Sequence, residues 1–229
     1  MDKPKYTTFV LVMVLFIISV VCYYIGVTQT NKKMTKTYAI EAAKSNTLWQ
    51  EYVDQKISKV HETYAKAEIQ KDIEFKRKLV YIISGFQPKL DMLTIERITG
   101  LIISESKINN LDPILVTALI WVESRFDPLA KSKKEAIGLM QVRYTVWKKT
   151  PILDGVGVDD KHKLYWVDMN IKCGTRILAK YYKESNYNIM KALYRYNTGS
   201  KSIPDKTPIF EIKYVNKIIL TAYRISNSM

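Results

Sequence analysis

The first chemical signal in this chain is one glutamate. Glu123 closes an apolar run, with Ile120, Trp121 and Val122 directly before it. A carboxyl beside apolar surface has its charged form disfavoured, so its pKa rises. A Glu that keeps its proton near neutral pH can act as a general acid. Read alone, a Glu at a helix end is usually a solvated charge, and the plainer reading prevails. Other chemistries have less to stand on. Two Cys exclude a disulfide-stapled scaffold and a Cys-rich zinc module, and two His leave little for a metal site. Cys22 and Cys173 read as free thiols.

The segments around Glu123 change the balance. Pro113 to Pro128 reads PILVTALIWVESRFDP, and Ala130-Lys131-Ser132 follows it. Then come Ala136-Ile137-Gly138-Leu139-Met140-Gln141, Asn170 to Gly174, Tyr194-Arg195-Tyr196-Asn197, and Tyr214-Val215. Gln141 lies 18 residues after Glu123. This ordered set, from about Leu111 to Ile218, resembles the catalytic domain of the soluble lytic transglycosylases, which share the goose-type lysozyme fold. Each short motif is weak alone; the order makes the combination specific.

The resemblance implies roles. Glu123 matches the family's sole catalytic acid, with Ser124 beside it. Ser132 matches a Ser near the N-acetyl group of the sugar being cleaved. Gly138, Leu139, Met140 and Gln141 match a loop lining the glycan groove. Tyr196 and Asn197 match the Tyr-Asn pair of the Ala-Tyr-Asn motif, and Tyr214 matches a late Tyr whose hydroxyl lies near the acid. Plainer readings stand beside these. Leu139 and Met140 also suit a core, Tyr196 is one of 16 Tyr, Gly138 suits a turn needing positive φ, and Ser124 suits a helix end. The chain departs from the family at Glu135, where Gly is usual, at Arg195 for Ala, and at Ile177 for Tyr. It also lacks the Pro that usually follows the Gly-Leu-Met-Gln loop, within Val142 to Thr145.

Glycosidases ordinarily pair two carboxyl groups. Asp127 belongs to a Phe-Asp-Pro turn, Asp168 reads as the cap of a helix starting near Asn170, and Asp159 and Asp160 sit in a loop. A lone acid suits substrate-assisted chemistry. The resemblance implies that Glu123 protonates the oxygen between N-acetylmuramic acid and N-acetylglucosamine, then takes the proton of the muramoyl 6-hydroxyl. A 1,6-anhydro ring closes without water, and no metal or cofactor is implied. The alternatives are a lysozyme-like muramidase and a non-catalytic wall-binding assembly protein of a phage or secretion machine.

These residues need elements to hold them. Asp112 suits a helix cap and Pro113 a first helical position, so a helix runs from there to about Ser124. Ile95, Ile98, Ile102 and Ile103 define another helical face. Gly155 to Val158 is the one stretch that reads as a short extended piece. The fold class is mainly α: a lysozyme-like helical domain over 89–229, preceded by a stalk over 28–88, an anchor over 9–27 and a short tail over 1–8.

From Lys33 to Ser84 the chain has neither Pro nor Gly and reads as long helix. Ala39, Ala42, Asn46, Trp49, Val53, Ile57, Val60, Tyr64 and Ala67 form a narrow stripe, for self-association, a protein partner or packing on the chain's own domain. His61 beside it reads as a surface residue. Gly85-Phe86-Gln87-Pro88 ends the helix.

Phe9 to Val27 holds 19 residues without a charge, about 28 Å of helix, enough to cross a bilayer core. No small-x-small cleavage pattern follows, and Val21 precedes Cys22 where a lipoprotein signal needs a small residue. An uncleaved single-pass anchor is the better reading. Lys32, Lys33 and Lys36 after the span outnumber Lys3 and Lys5 before it, which opposes a wall-facing domain; long translocated domains override such counts. A bacterial inner membrane with the domain on the wall side is therefore expected.

The chain carries 36 Lys and Arg against 22 Asp and Glu, a net +14. Residues 85–229 hold 23 and 14 of these, so the surplus sits mostly in the C-terminal domain. Such charge calls for an anionic partner. Without a clustered basic face or a nucleic-acid module, peptidoglycan is favoured over nucleic acid.

Overall fold

The computed structural model describes residues 4–199, 209 and 212–229, with side chains from Leu11 onward. Residues 1–3 of the expected tail lie outside this set, and helix already begins at Pro4. The chain divides into two units, one up to Glu68 and one from Ile69 on.

The described residues of the first unit are all helical, as part of α1 (Pro4–Phe86). Every residue from Leu11 to Glu68 is exposed, including the apolar ones. The apolar segment is long enough to cross a membrane. Two aliphatic hydroxyls in and beside it pair within the helix: Ser19 donates to the Phe16 carbonyl and Thr28 to that of Ile25, each at 2.9 Å. In lipid no water would do this, so internal pairing is what a spanning helix requires.

The second unit is a helical domain that begins earlier than residue 89. The end of α1 belongs to it, with Leu79 and Ile83 fully buried. The helix closes where Gly85 and Pro88 flank its end, with the Gln87 amide donating to the Ile83 carbonyl at 2.9 Å.

α2 (Met92–Ile108) starts on Asp91, whose carboxylate accepts the Thr94 amide at 2.9 Å. It buries Ile95, Ile98 and Ile102; Ile103 is half-buried. α3 (Pro113–Ser124) starts on Asp112, which accepts the Ile114 amide at 2.7 Å, with Pro113 in the first turn. Leu115 to Ile120 are all buried, so α3 is the central helix, packed against α2 and α8 (Lys213–Asn227). α6 (Val167–Glu184) packs against α2 and against α7 (Ile189–Thr198).

The connection from α3 to α6 contains β1 (Ala136–Ile137) and β2 (Val142–Arg143), paired antiparallel with Ile137 opposite Val142. Short helices α4 (Tyr144–Trp147) and α5 (Pro151–Asp154) and a 3₁₀ turn (Lys161–Tyr165) follow.

Two sequence expectations are corrected here. Gly155 to Val158 is a turn, not a strand: Gly155 donates to the Pro151 carbonyl and Val158 to that of Leu153. The real strands have two residues each, too short for alternation to show. Asp168 does not cap α6. The helix begins at Val167, and Asp168 lies in its first turn, paired with Arg97 of α2 at 2.6 and 2.7 Å. The Arg97 guanidinium holds the Asp168 carboxyl below its usual range.

Candidate active site

Three helices bring the site together. Glu123 sits on the last turn of α3, Tyr214 on the first turn of α8, and Tyr196 on α7. The Tyr214 hydroxyl donates a short hydrogen bond to Glu123 Oε1. Glu123 is half-buried, and burial pushes its pKa up to about 7. The Tyr214 hydrogen bond and the charge of Lys217 pull the other way, and burial wins. Tyr196 and Tyr214 are both held protonated by burial and by the nearby Glu123 carboxylate. Glu123 is thus a carboxyl poised to give and retake a proton near neutrality. Among the described residues, no second carboxylate influences it.

The backbone turns sharply after Glu123. Arg125 and Phe126 both adopt the left-handed region, with φ 57° and 60°. Arg125 lies over the Trp121 ring at 4.4 Å, and Phe126 is fully buried. Gln87 donates to the Arg125 carbonyl at 3.0 Å, so the end of α1 braces this turn.

The loop from Gly138 to Gln141 is built around Asn170 on α6. The Asn170 side chain accepts the Met140 amide at 2.7 Å and donates to the Ile137 and Leu164 carbonyls at 2.8 and 2.7 Å. Gly138 has φ 73°, and a Cβ there would stand 2.3 Å from Asn170 Nδ2. One turn further on, a Cβ at Gly174 would stand 2.4 Å from the Met140 sulfur. Asn170 and Gly174, four residues apart on one face, therefore let this loop sit on α6. Tyr196 completes the clasp, its hydroxyl donating to the Met140 carbonyl at 2.8 Å.

The expected substrate contacts divide accordingly. Gln141, Tyr196 and Asn197 line one pocket, with Ile177. Leu139 and Met140 are fully buried and pack in the core. Gly138 is buried too, serving the turn. Ser124 is 8% exposed, and its hydroxyl donates to the Ile120 carbonyl at 3.2 Å, which suits a helix end better than a sugar contact. Ser132 is half-buried, its oxygen accepting the Lys134 and Ala136 amides at 3.2 and 3.0 Å.

The departures have structural correlates. Glu135 takes φ 59°, a conformation that favours Gly, and pairs with Lys131 at 2.9 Å. Arg195 reaches back to α6, donating to the Glu184 carbonyl at 3.3 Å. Cys173 is buried and Cys22 exposed, both free. Among the described residues, no group of three or more His, Cys, Asp or Glu could hold a metal.

The sequence motifs include Asn170 and Gly174 with no role of their own, and they do not include Lys217. A signal for Lys217 existed: it lies three residues after Tyr214, one helical turn along α8.

Residues 100–210 match the Transglycosylase SLT domain family. Tyr214 lies beyond the matched range. A solved structure of an inactive mutant of the lytic transglycosylase Slt from Pseudomonas aeruginosa is similar at 23% identity and a TM-score of 0.49. The similarity covers 70% of this chain and 29% of that one, so this chain spans less than a third of that protein's length.

Proposed function

From a chain that carries a Transglycosylase SLT domain over residues 100–210, we propose a membrane-anchored lytic transglycosylase that cleaves peptidoglycan with Glu123 as its single acid and base. The observation that carries this reading is the half-buried Glu123 carboxyl, with a pKa of about 7, hydrogen-bonded by Tyr214.

The reaction follows from one proton carrier. Protonated Glu123 gives its proton to the glycosidic oxygen between N-acetylmuramic acid and N-acetylglucosamine, and the C1–O4 bond breaks. The substrate's own N-acetyl carbonyl steadies the positive C1. The Glu123 carboxylate then takes the proton of the muramoyl 6-hydroxyl as O6 bonds to C1. The acid is restored, a 1,6-anhydro ring closes, and no water is consumed. Tyr214 keeps the carboxyl oriented, and Gln141, Tyr196 and Asn197 line the bed beneath the sugars. The apolar segment from Phe9 to Val27 serves as an uncleaved anchor in the cytoplasmic membrane, with the domain on the wall side.

Digestion of purified peptidoglycan with product mass analysis tests this reading. Anhydromuramoyl ends are expected. Reducing ends that incorporate labelled water would make the enzyme a muramidase instead. Glu123→Gln is expected to lower cleavage by about 10²- to 10⁴-fold with the helical signal intact; a variant as active as the parent would leave a binding protein.

A further inference from the structure

One face of α1 has no part in the proposed chemistry. The stripe from Ala39 to Ala67 is exposed at every position, with Trp49 at 64% and Tyr64 at 73%. At about 100° of rotation per residue, the stripe stays within about 80° of the helix circumference. No charged residue between Ala39 and Ala67 falls inside that arc. Glu41, Lys44, Glu51, Asp54 and Lys59 stand on the far side, where Lys66 also pairs with Glu62 at 2.6 Å.

The spacing is that of a coiled-coil seam. Three- and four-residue steps alternate, with one repeated four-residue step at Val53 to Ile57, a stutter that locally unwinds a supercoil. Val53 and Ile57 open their heptads, a position where β-branched side chains favour two strands. Asn46 takes the same kind of position. Its amide is both donor and acceptor, so it is satisfied by its own counterpart when two copies lie parallel and in register. That self-complementarity calls for a second copy of this helix. From their present exposure, burying Trp49, Val53, Ile57, Val60 and Tyr64 would remove on the order of 600 Å² per chain. A pair would then bury about 1,200 Å², the lower bound of a stable specific interface. Two chains anchored in one membrane leave it at the same level and in the same direction. Parallel, in-register pairing is thus the arrangement available to them, at raised effective concentration.

We propose that residues 39–67 of two copies of this chain pair as a parallel, in-register, two-stranded coiled coil. The orientation rests on the anchor reading above; the pairing does not depend on the lyase reading.

Oxidative crosslinking of the full chain in its membrane tests this, in a Cys22→Ser background that leaves the buried Cys173 as the remaining thiol. A disulfide needs Cα atoms within about 7 Å, which equivalent seam positions of an in-register pair provide. Val53→Cys or Val60→Cys is expected to give about tenfold more crosslinked dimer on a denaturing gel than Glu51→Cys or Lys59→Cys on the far face. Adding Val53→Glu and Ile57→Glu to the Val60→Cys chain should abolish the crosslink while the helical signal is kept. Equal crosslinking on both faces, or a crosslink that survives the two glutamates, would overturn the pair. A seam adduct with a different protein would assign the stripe to that partner and also overturn it. A chain absent from the membrane fraction would sink the anchor reading, and the same crosslinks read in solution would still decide the pair.

Discussion

At the residue scale, the site depends on the balance that sets the Glu123 pKa. Burial raises it from 4.5 to about 7, while Tyr214 and Lys217 lower it. The proposed reaction starts from the protonated form, so the rate of cleavage should decline as pH rises through about 7. Tyr214→Phe removes a donor to the carboxylate, so the alkaline limb of the pH profile should move upward while kcat falls. An unmoved limb would show that Tyr214 only packs. The same shift has a consequence for stability. The folded chain holds the Glu123 proton more tightly than the unfolded chain, so this contribution is complete below about 4.5 and is lost as pH rises toward about 7. Glu123→Gln should therefore stabilise the chain by about 1–3 kcal/mol at pH 8 relative to the parent, and by much less at pH 4, as thermal unfolding would record.

At the scale of elements, the loop between β1 and β2 is held by α6. Asn170 satisfies three backbone groups of this region, and it is buried. Asn170→Ala would leave those groups unpaired and should cost about 2–4 kcal/mol by denaturant unfolding, with activity lost through displacement of Gln141. Glu135→Gly acts in the opposite direction. The residue holds φ 59° against its preference, and its pair with Lys131 is exposed, so the change should stabilise by about 0.5–1 kcal/mol.

At the scale of the whole molecule, the division at Ile69 predicts an independent fragment. Residues 69–229 alone should unfold cooperatively and cleave soluble glycan strands, because Leu79 and Ile83 keep the core closed. A fragment starting at residue 89 would lose both and should be markedly less stable. The full chain should sediment with membranes and the fragment should not, which cell fractionation would decide.

Much of this was legible in the chain itself. The apolar run, the long helix, the Asp112–Pro113 start and the end of α3 at Ser124 follow from local chemistry, because caps, breakers and periodicity act over a few residues. Glu123 stands out in the sequence by its apolar neighbours and the ordered motifs around it. Other features needed the fold. Whether Leu139 and Met140 touch solvent depends on Gly174 and Asn170, some thirty residues away. The pairing of Asp168 depends on Arg97, 71 residues distant. The first residue of the compact unit depends on which turns of α1 find a core to bury against, and the pKa of Glu123 on how much water three helices exclude. The sequence by itself determined which groups can carry the proton and the charge. The tertiary structure decided their burial and their partners, since both depend on contacts between segments far apart in the chain.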